Sequence, residues 1–132
     1  MREIPLIAIV VVAAAPEVSR LVKSLDKRGF ATKVINNPHE ALDECRRNPP
    51  DLAIVEKTVG PMGGVQFLAE LLKVSWTTST IMIADEEEDL LHQETEGLGI
   101  LGSISALADV EGLERLIDRL FEMLGPTQRT AY

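Results

Sequence analysis

Three short apolar runs, each followed by a turn and then by a helical pattern, constrain the fold more than any other feature of the sequence. The first run, Leu6–Val12, is rich in β-branched residues and apolar at every position, as expected for a strand that is covered on both faces. Leu52–Val55 and Thr80–Ile83 have the same character. Strands of this kind need helices above and below them, so the runs predict a parallel sheet between two helical layers.

The segments between these runs repeat their apolar residues at helical spacing. Helices are predicted to begin at Pro16, Asn37, Val65, Asp85 and Val110. Gly29 ends the first helix, and the side chain of Asn37 is expected to cap the second. Two weaker strands, Ala31–Ile35 and Ile100–Ser105, complete the alternation, and Gly102 is expected to interrupt the second of them.

The alternation amounts to five β–α units with short connections. Such a chain is expected to fold as a doubly wound, five-stranded parallel sheet with helices on both faces, which is an α/β fold. The sequence contains no internal repeat, linker or second apolar-periodic region. We therefore expect a single domain over residues 1–132, with a core of about 5–124 and a short C-terminal tail.

Acidic residues are concentrated in the second half of the chain. Residues 1–73 carry 10 basic and 9 acidic side chains, whereas residues 74–132 carry 3 and 12. The formal net charge of −8 argues against direct nucleic-acid binding. The acidic half has two interpretations: a set of solvated helix faces, which is the favoured one, or a surface suited to a basic partner.

Several functional classes are excluded by what the sequence lacks. No apolar run is long enough to span a bilayer, and Leu6–Ala15 follows Arg2 without a cleavage-site pattern, so a buried strand in a cytoplasmic protein is predicted instead of a signal peptide. The single Cys45 excludes an internal disulfide, and its place on an apolar helix face predicts a buried thiol. Neither His39 nor His92 has a Ser or Cys partner near a strand end, so an enzyme with a nucleophile and a base is not expected.

Ligands of an open parallel sheet bind beyond the carboxyl ends of its strands, and residues near these ends carry a family resemblance. The three stretches are Val12–Val18 (VAAAPEV), Asn48–Glu56 (NPPDLAIVE) and Gly60–Gly64 (GPMGG). Over nearly its whole length the sequence resembles the receiver domain of two-component response regulators, of the chemotaxis-regulator type. The resemblance implies a flavodoxin-like (βα)5 three-layer sandwich and a role in signalling.

Receiver domains of this family carry a phosphoryl-transfer site of five groups. Two acids after the first strand and an acceptor aspartate hold Mg²⁺, while a hydroxyl after the fourth strand and a lysine after the fifth bind the phosphoryl oxygens. The matching positions are Ala13 and Ala14 for the acid pair, Glu56 for the acceptor, Ala84 for the hydroxyl, and Ile104 or a neighbour for the lysine. No acid lies between Glu3 and Glu17, and no lysine follows Lys73.

These departures from the family pattern predict a degenerate pseudo-receiver. Alanine methyls cannot coordinate Mg²⁺, and Glu56 with Asp85 as a second carboxylate makes a poor octahedral site, so we expect no metal, no cofactor and no catalytic residue. Glu56 is interpreted either as a built-in mimic of phospho-aspartate or as a product of neutral drift. Drift is favoured, because the hydroxyl and the lysine that would sense a mimic are absent. The alternative function is a phosphoacceptor receiver with an unusual Glu56 site.

Protein binding is the function expected of a receiver-like domain that cannot transfer phosphoryl groups. The usual interaction face of the family corresponds to residues of about 86–124, where a protein partner or a second copy would bind independently of phosphorylation. Arg115 and Arg119 are candidates for salt bridges across such a face, although pairing within the helix, for example of Glu111 with Arg115, is the favoured interpretation. A nucleotide or flavin is not expected, because Ala13–Glu17 lacks the glycines and hydroxyls that cradle a phosphate.

Overall fold

A computed structural model of the chain describes residues 6–12, 16–57, 62–84, 100–107 and 109–124. Its five strands form one sheet in which every pairing is parallel. The strands are β1 (Leu6–Val11), β2 (Phe30–Ile35), β3 (Leu52–Glu56), β4 (Ser79–Ile83) and β5 (Gly102–Ile104). Their spatial order is β2-β1-β3-β4-β5, which is the flavodoxin-like order. The predicted doubly wound parallel sheet is confirmed.

Helices cover both faces of this sheet. The described helices are α1 (Val18–Lys27), α2 (Pro38–Arg47), α3 (Gly64–Val74) and α4 (Val110–Leu124). Leu21 of α1 and Ile117 of α4 belong to one buried cluster, and Ala41 of α2 and Phe67 of α3 belong to the cluster on the opposite face. The helix predicted to begin at Asp85 lies outside the described residues. Within the described ranges, no helix has both the length and the apolar character that crossing a membrane requires.

Strand β1, which lies between β2 and β3, shows why both helical layers are needed. Successive side chains of a strand point to opposite faces. Ala8 and Val10 therefore pack on the α1–α4 side, whereas Ile9 and Val11 pack on the α2–α3 side. All four are at most 2% exposed, and full burial of one large aliphatic side chain contributes about 1.5–3 kcal/mol. The continuous apolar run in the sequence is thus explained by burial on two faces.

The boundaries of α2 follow the sequence prediction. The side-chain oxygen of Asn37 accepts hydrogen bonds from the backbone N–H groups of His39 (2.9 Å) and Glu40 (3.2 Å), which satisfies two donors that the first turn leaves unpaired. Cys45 of the same helix is fully buried. Burial raises the pKa of its thiol to about 11, so the thiol stays protonated and unreactive at neutral pH.

The last strand is shorter than predicted. The sequence pattern predicts Ile100–Ser105, whereas β5 contains Gly102–Ile104, because Gly102 opens the strand instead of interrupting it. A Cβ atom at Gly102 would lie 2.5 Å from Cδ2 of Leu116. The side chain of Leu116 in α4 thus packs directly over Gly102.

Replacing the capping residue of α2 tests its contribution to stability. Asn37→Ala is expected to lower the free energy of unfolding by about 1 kcal/mol, because two backbone N–H groups lose their acceptor. Urea unfolding measures the loss. Asn36→Ala is the matched control, since Asn36 is exposed and makes no side-chain hydrogen bond within the described part of the chain. Equal losses in the two variants would contradict this role of Asn37.

Candidate functional site

The parallel register brings the carboxyl ends of the central strands to the same edge of the sheet. Val11 of β1 pairs with Val55 of β3, and Glu56 pairs with Ile83 of β4. Ile83 in turn pairs with Ile104 of β5. Val12, which directly follows β1, therefore lies level with Glu56, and Ala84, which directly follows β4, lies one residue beyond that level. This edge is where a doubly wound sheet binds its ligands, and we treat it as the candidate site.

Glu56 is the last residue of β3, and its side chain is half-buried. The backbone beyond it is held on two sides. The N–H of Lys57 donates to the carbonyl of Ile83 (2.9 Å), and the carbonyl of Lys57 accepts from the N–H of Gly64 (2.6 Å). Glu56 thus presents a carboxylate from a fixed backbone, at the position where the resemblance implies the acceptor aspartate.

Two glycines allow α3 to begin directly beside Glu56. Gly63 has a φ of +76°, a conformation that costs little without a side chain. At Gly64 an added Cβ would lie 2.5 Å from the carbonyl oxygen of Glu56 and 2.7 Å from Cα of Lys57. Both contacts are with backbone, which cannot rotate away. The glycine pair of the sequence motif therefore serves the close approach of α3 to the end of β3.

Ala84, at the position implied for the hydroxyl, lies in an apolar setting. It follows β4 directly, is 8% exposed and clusters with Leu68 and Met82. Its N–H donates to the carbonyl of Ile104 (3.0 Å). Ile104, at or near the position implied for the lysine, is 2% exposed and belongs to the core cluster on the α1–α4 side. Apolar side chains thus occupy the carboxyl ends of β4 and β5, the two strands next to β3 on that side of the sheet.

The structure brings three of the five sequence-predicted positions together on adjacent strands: Glu56, Ala84 and Ile104. Ala13 and Ala14 lie outside the described residues, as does Asp85. Val12, which precedes the two alanines, is fully buried at the end of β1.

A magnesium ion does not fit the groups present at this edge. Mg²⁺ requires a near-octahedral shell of oxygen ligands. Glu56 offers one carboxylate, its neighbour Ala84 offers a methyl group, and positions 13 and 14 carry alanine in the sequence. Among the residues that the structure describes, no three His, Cys, Asp or Glu side chains are grouped so that they could hold a metal. The described residues of this edge therefore do not supply the ligand shell of a magnesium ion.

Asp109, which the sequence reasoning did not single out, organises the segment between β5 and α4. One carboxylate oxygen accepts from the N–H of Gly112 (3.0 Å), and the other accepts from the N–H and the hydroxyl of Ser105 (3.3 and 3.4 Å). The bond from Gly112 is the main cause of a lowered pKa at Asp109. Ser105 is the hydroxyl nearest to the end of β5, and it is engaged in this cap. The sequence did indicate such a cap, because Asp109 stands directly before the apolar residues that repeat at helical spacing in α4.

No family model matches the sequence, and no curated protein matches it by sequence. Solved structures match its fold. The chemotaxis protein CheY4 of Vibrio cholerae aligns with a TM-score of 0.78 and 18% identity, over 89% of this chain and 99% of that one. A two-component response regulator from Clostridium difficile gives 0.80 and 15%, over 92% and 99%. The signal receiver domain of an HD domain-containing protein from Pseudomonas fluorescens gives 0.79 and 18%, over 91% and 97%. The chain therefore has the receiver fold of response regulators.

The close approach at Gly64 is testable by adding one methyl group. Gly64→Ala is expected to lower the free energy of unfolding by about 3 kcal/mol, the upper end of the range for overpacking, because the new Cβ meets backbone atoms. Gly29→Ala is the control. Gly29 has a φ of +92° with no heavy atom within 4 Å of an added Cβ, so its cost of about 1 kcal/mol is confined to the backbone conformation. Chemical denaturation of both variants checks the order, and a smaller loss for Gly64→Ala would contradict the packing argument.

The lowered pKa of Asp109 predicts a pH-dependent contribution to stability. A carboxyl group whose pKa falls on folding stabilises the native state above its unfolded pKa, which is near 3.8, and this stabilisation is lost as the pH falls through the folded value. Asp109→Asn should therefore be less stable than the parent protein at neutral pH. Thermal melts between neutral and acidic pH are expected to show the difference shrinking below pH 3.8. A difference independent of pH would show that the charge of Asp109 contributes nothing.

Proposed function

We propose that this chain is a receiver-type signalling domain that has lost the phosphoryl-transfer site and acts as a phosphorylation-independent protein-interaction module. The observation that carries the proposal is the chemistry at the carboxyl edge of the sheet. Glu56 ends β3 where the family has its acceptor aspartate, while the adjoining strand ends carry the buried apolar residues Ala84 and Ile104. No catalytic role follows from such a set.

Phosphoryl transfer depends on electrostatic stabilisation that these residues do not supply. The transferring group carries negative charge on several oxygens, which cations and hydrogen-bond donors must neutralise. A methyl group replaces the hydroxyl at position 84, and the sequence contains no lysine beyond Lys73. The acid pair that would help to hold a cation is replaced by Ala13 and Ala14. The loss of any one group would impair the reaction, and here four of the five positions have changed to apolar residues.

Glu56 has two further roles to weigh within this proposal. As an acceptor it would need the same missing cation and donors. As a fixed mimic of phospho-aspartate it would need a partner side chain that senses its charge, and the position implied for the sensing hydroxyl is Ala84, packed against Leu68 and Met82. Both arguments favour a residue that is retained without either role.

The surface proposed for partner binding includes the described helix α4, within the span of about 86–124 implied by the resemblance. Its exposed charged residues are of mixed sign, namely Glu111, Arg115, Asp118, Arg119 and Glu122, and the apolar Met123 is exposed beside them. Arg119 donates a hydrogen bond to the carbonyl of Leu101 (3.2 Å). Within the described residues no salt bridge joins Glu111 to Arg115, so the predicted pairing inside the helix is not formed. Arg115 instead contributes to the lowered pKa of Asp109.

Incubation with acetyl phosphate and Mg²⁺, followed by intact-mass spectrometry, tests the loss of phosphoryl transfer. The parent protein is expected to gain no phosphoryl group, and neither is Glu56→Asp, because restoring the acceptor leaves the other four positions unchanged. A phosphorylatable receiver domain treated in parallel serves as the positive control.

Glu56→Gln is the matched variant for this experiment, since it keeps the size of the side chain and removes the nucleophilic carboxylate. A phosphoryl adduct on the parent protein that is absent from Glu56→Gln would establish the alternative function, a phosphoacceptor site at Glu56. An adduct on Glu56→Asp would show that the remaining residues suffice for transfer, and it would overturn the argument from the strand ends.

A further inference from the structure

A cavity of about 280 Å³ lies between strands β1 and β2 and the end of α2. Its lining combines apolar side chains with polar ones, namely Ile7, Ile9 and Ala31 with Lys33, Glu44 and Asn48. The volume is near the lower limit for sites that bind small molecules. It equals the space of about nine water molecules, since each takes about 30 Å³ in the liquid.

The register of β1 and β2 explains why the strand residues of this cavity share one face of the sheet. Ile7 pairs with Ala31, and Ile9 pairs with Lys33. Residues two apart in a strand point to the same face, and Ile9 packs in the cluster on the α2–α3 side. All four side chains therefore point towards the layer that contains α2.

The apolar part of the cavity is open to a ligand from solvent. β2 is the outermost strand on its side of the sheet, and Ala31 extends only a methyl group from it and is exposed. Ile7, opposite Ala31, is 38% exposed and is one of four large hydrophobic side chains exposed among the described residues. Ile9 is 2% exposed and forms the floor. Apolar area at this position is thus left uncovered by α2.

The polar part of the cavity is a cluster of charges around Glu44. One carboxylate oxygen accepts from Nζ of Lys33 (2.8 Å) and from the side-chain amide of Asn48 (3.2 Å), and the other accepts from Arg47 (2.9 Å). Hydrogen bonds from Lys33, Arg47 and Asn48 lower the pKa of Glu44 to about 2. The carboxylate is therefore ionised at neutral pH and already accepts three hydrogen bonds.

This cluster has a surplus of positive charge and of hydrogen-bond donors. Lys33 and Arg47 carry two positive charges against the single negative charge of Glu44, while Arg46 pairs separately with Asp43. An ammonium group has three N–H donors, and the one side-chain hydrogen bond of Lys33 within the described residues goes to Glu44. The group that this rim can still accommodate is therefore an anion.

We propose that the cavity binds a small monocarboxylate with a compact apolar body. The body packs on Ile7, Ile9 and Ala31, and the carboxylate accepts hydrogen bonds from Lys33. A volume of about nine water molecules admits about nine non-hydrogen atoms, which is the size of benzoate. Glu40, the acid one turn before Glu44, is one turn farther from the end of α2 that borders the cavity, so it does not oppose the anion at close range.

The cavity is separate from the candidate site at the carboxyl edge of the sheet. Ile7 lies four residues before Val11, the last residue of β1, and is therefore about 13 Å from that edge at 3.3 Å per residue. The inference thus goes beyond the proposed function as an interaction module and does not depend on it.

Titration of the nitrogen-15-labelled protein with benzoate, followed by the backbone amide chemical shifts, tests the proposal. Benzoate is expected to shift the amides of Ile7, Ala31 and Asn48, with a dissociation constant on the order of 1 mM for a ligand of this size. The amides of Glu56 and Ala84 should not shift, because they lie at the opposite end of the strands. An absence of shifts around the cavity, or shifts confined to other regions, would overturn the inference.

Three compounds related to benzoate separate the contribution of charge from that of the apolar body. Benzamide has the same size without the charge and is expected to bind about fivefold more weakly, which is the upper value for an exposed ion pair. Protonated benzylamine should bind more weakly still, and acetate, which lacks the apolar body, should cause no shifts at the same concentrations. Equal affinities for benzoate and benzamide would contradict recognition of the carboxylate.

Two pairs of variants locate the bound ligand. Ala31→Phe fills the cavity and should abolish benzoate binding, whereas Val34→Phe adds a phenyl ring to the opposite face of β2, where Val34 is exposed and pairs with Val10, and should leave binding unchanged. Lys33→Gln should bind benzoate about fivefold more weakly and benzamide as the parent does. Lys73→Gln removes the same charge from α3 and should alter neither affinity.

Unchanged benzoate affinity in Ala31→Phe or in Lys33→Gln would also overturn the inference. Dispersed amide signals verify that each variant is folded, and should Ala31→Phe not fold, Lys33→Gln and the comparison with benzamide still decide the outcome. None of these results bears on phosphoryl transfer, which the acetyl phosphate experiment tests separately.

Discussion

The parallel register of the sheet determines where Glu56, Ala84 and Ile104 lie. Because all strands run in one direction, the pairing of Glu56 with Ile83 and of Ile83 with Ile104 aligns three strand ends along one edge. The register itself is held by burial on both faces, since a shift by one residue would exchange the two sets of apolar side chains that β1 presents to its helical layers. The packing of the core therefore also fixes the position of the candidate site.

Apolar packing extends to the edge where a phosphoryl-transfer site would need polar groups. Ala84 packs with Leu68 and Met82, and Ile104 packs in the core. A functioning site keeps carboxylates close together, where their mutual repulsion raises the free energy of the folded state. Among the described residues at this edge, Glu56 is the one carboxylate that ends a strand, and Ala84 contributes no charge to repel it. The scaffold is thus compatible with a domain whose surface, and not its carboxyl edge, carries the function.

Electrostatics on the outside of the domain differ between the two helical layers. Basic residues of α2 and α3 pair with acids of their own helix. On the α1–α4 face, Arg28 at the end of α1 pairs with Glu114 and Asp118 of α4. The arginines of α2 and the lysine of α3 thus form ion pairs within single helices on the α2–α3 side, whereas half-buried Arg28 forms them between two helices on the α1–α4 side.

The sequence by itself determined the α/β class, the order of strands and helices, the cap at Asn37, the burial of Cys45 and the absence of acids and lysine from the implied site, because these depend on local periodicity and residue type. It misplaced the limits of β5 and did not identify Asp109 or Arg28. Those features were decided by tertiary structure. Gly102 opens β5 beside the side chain of Leu116 in α4, and Arg28 joins α1 to residues 86 and 90 positions away in the chain, a distance over which periodicity carries no information.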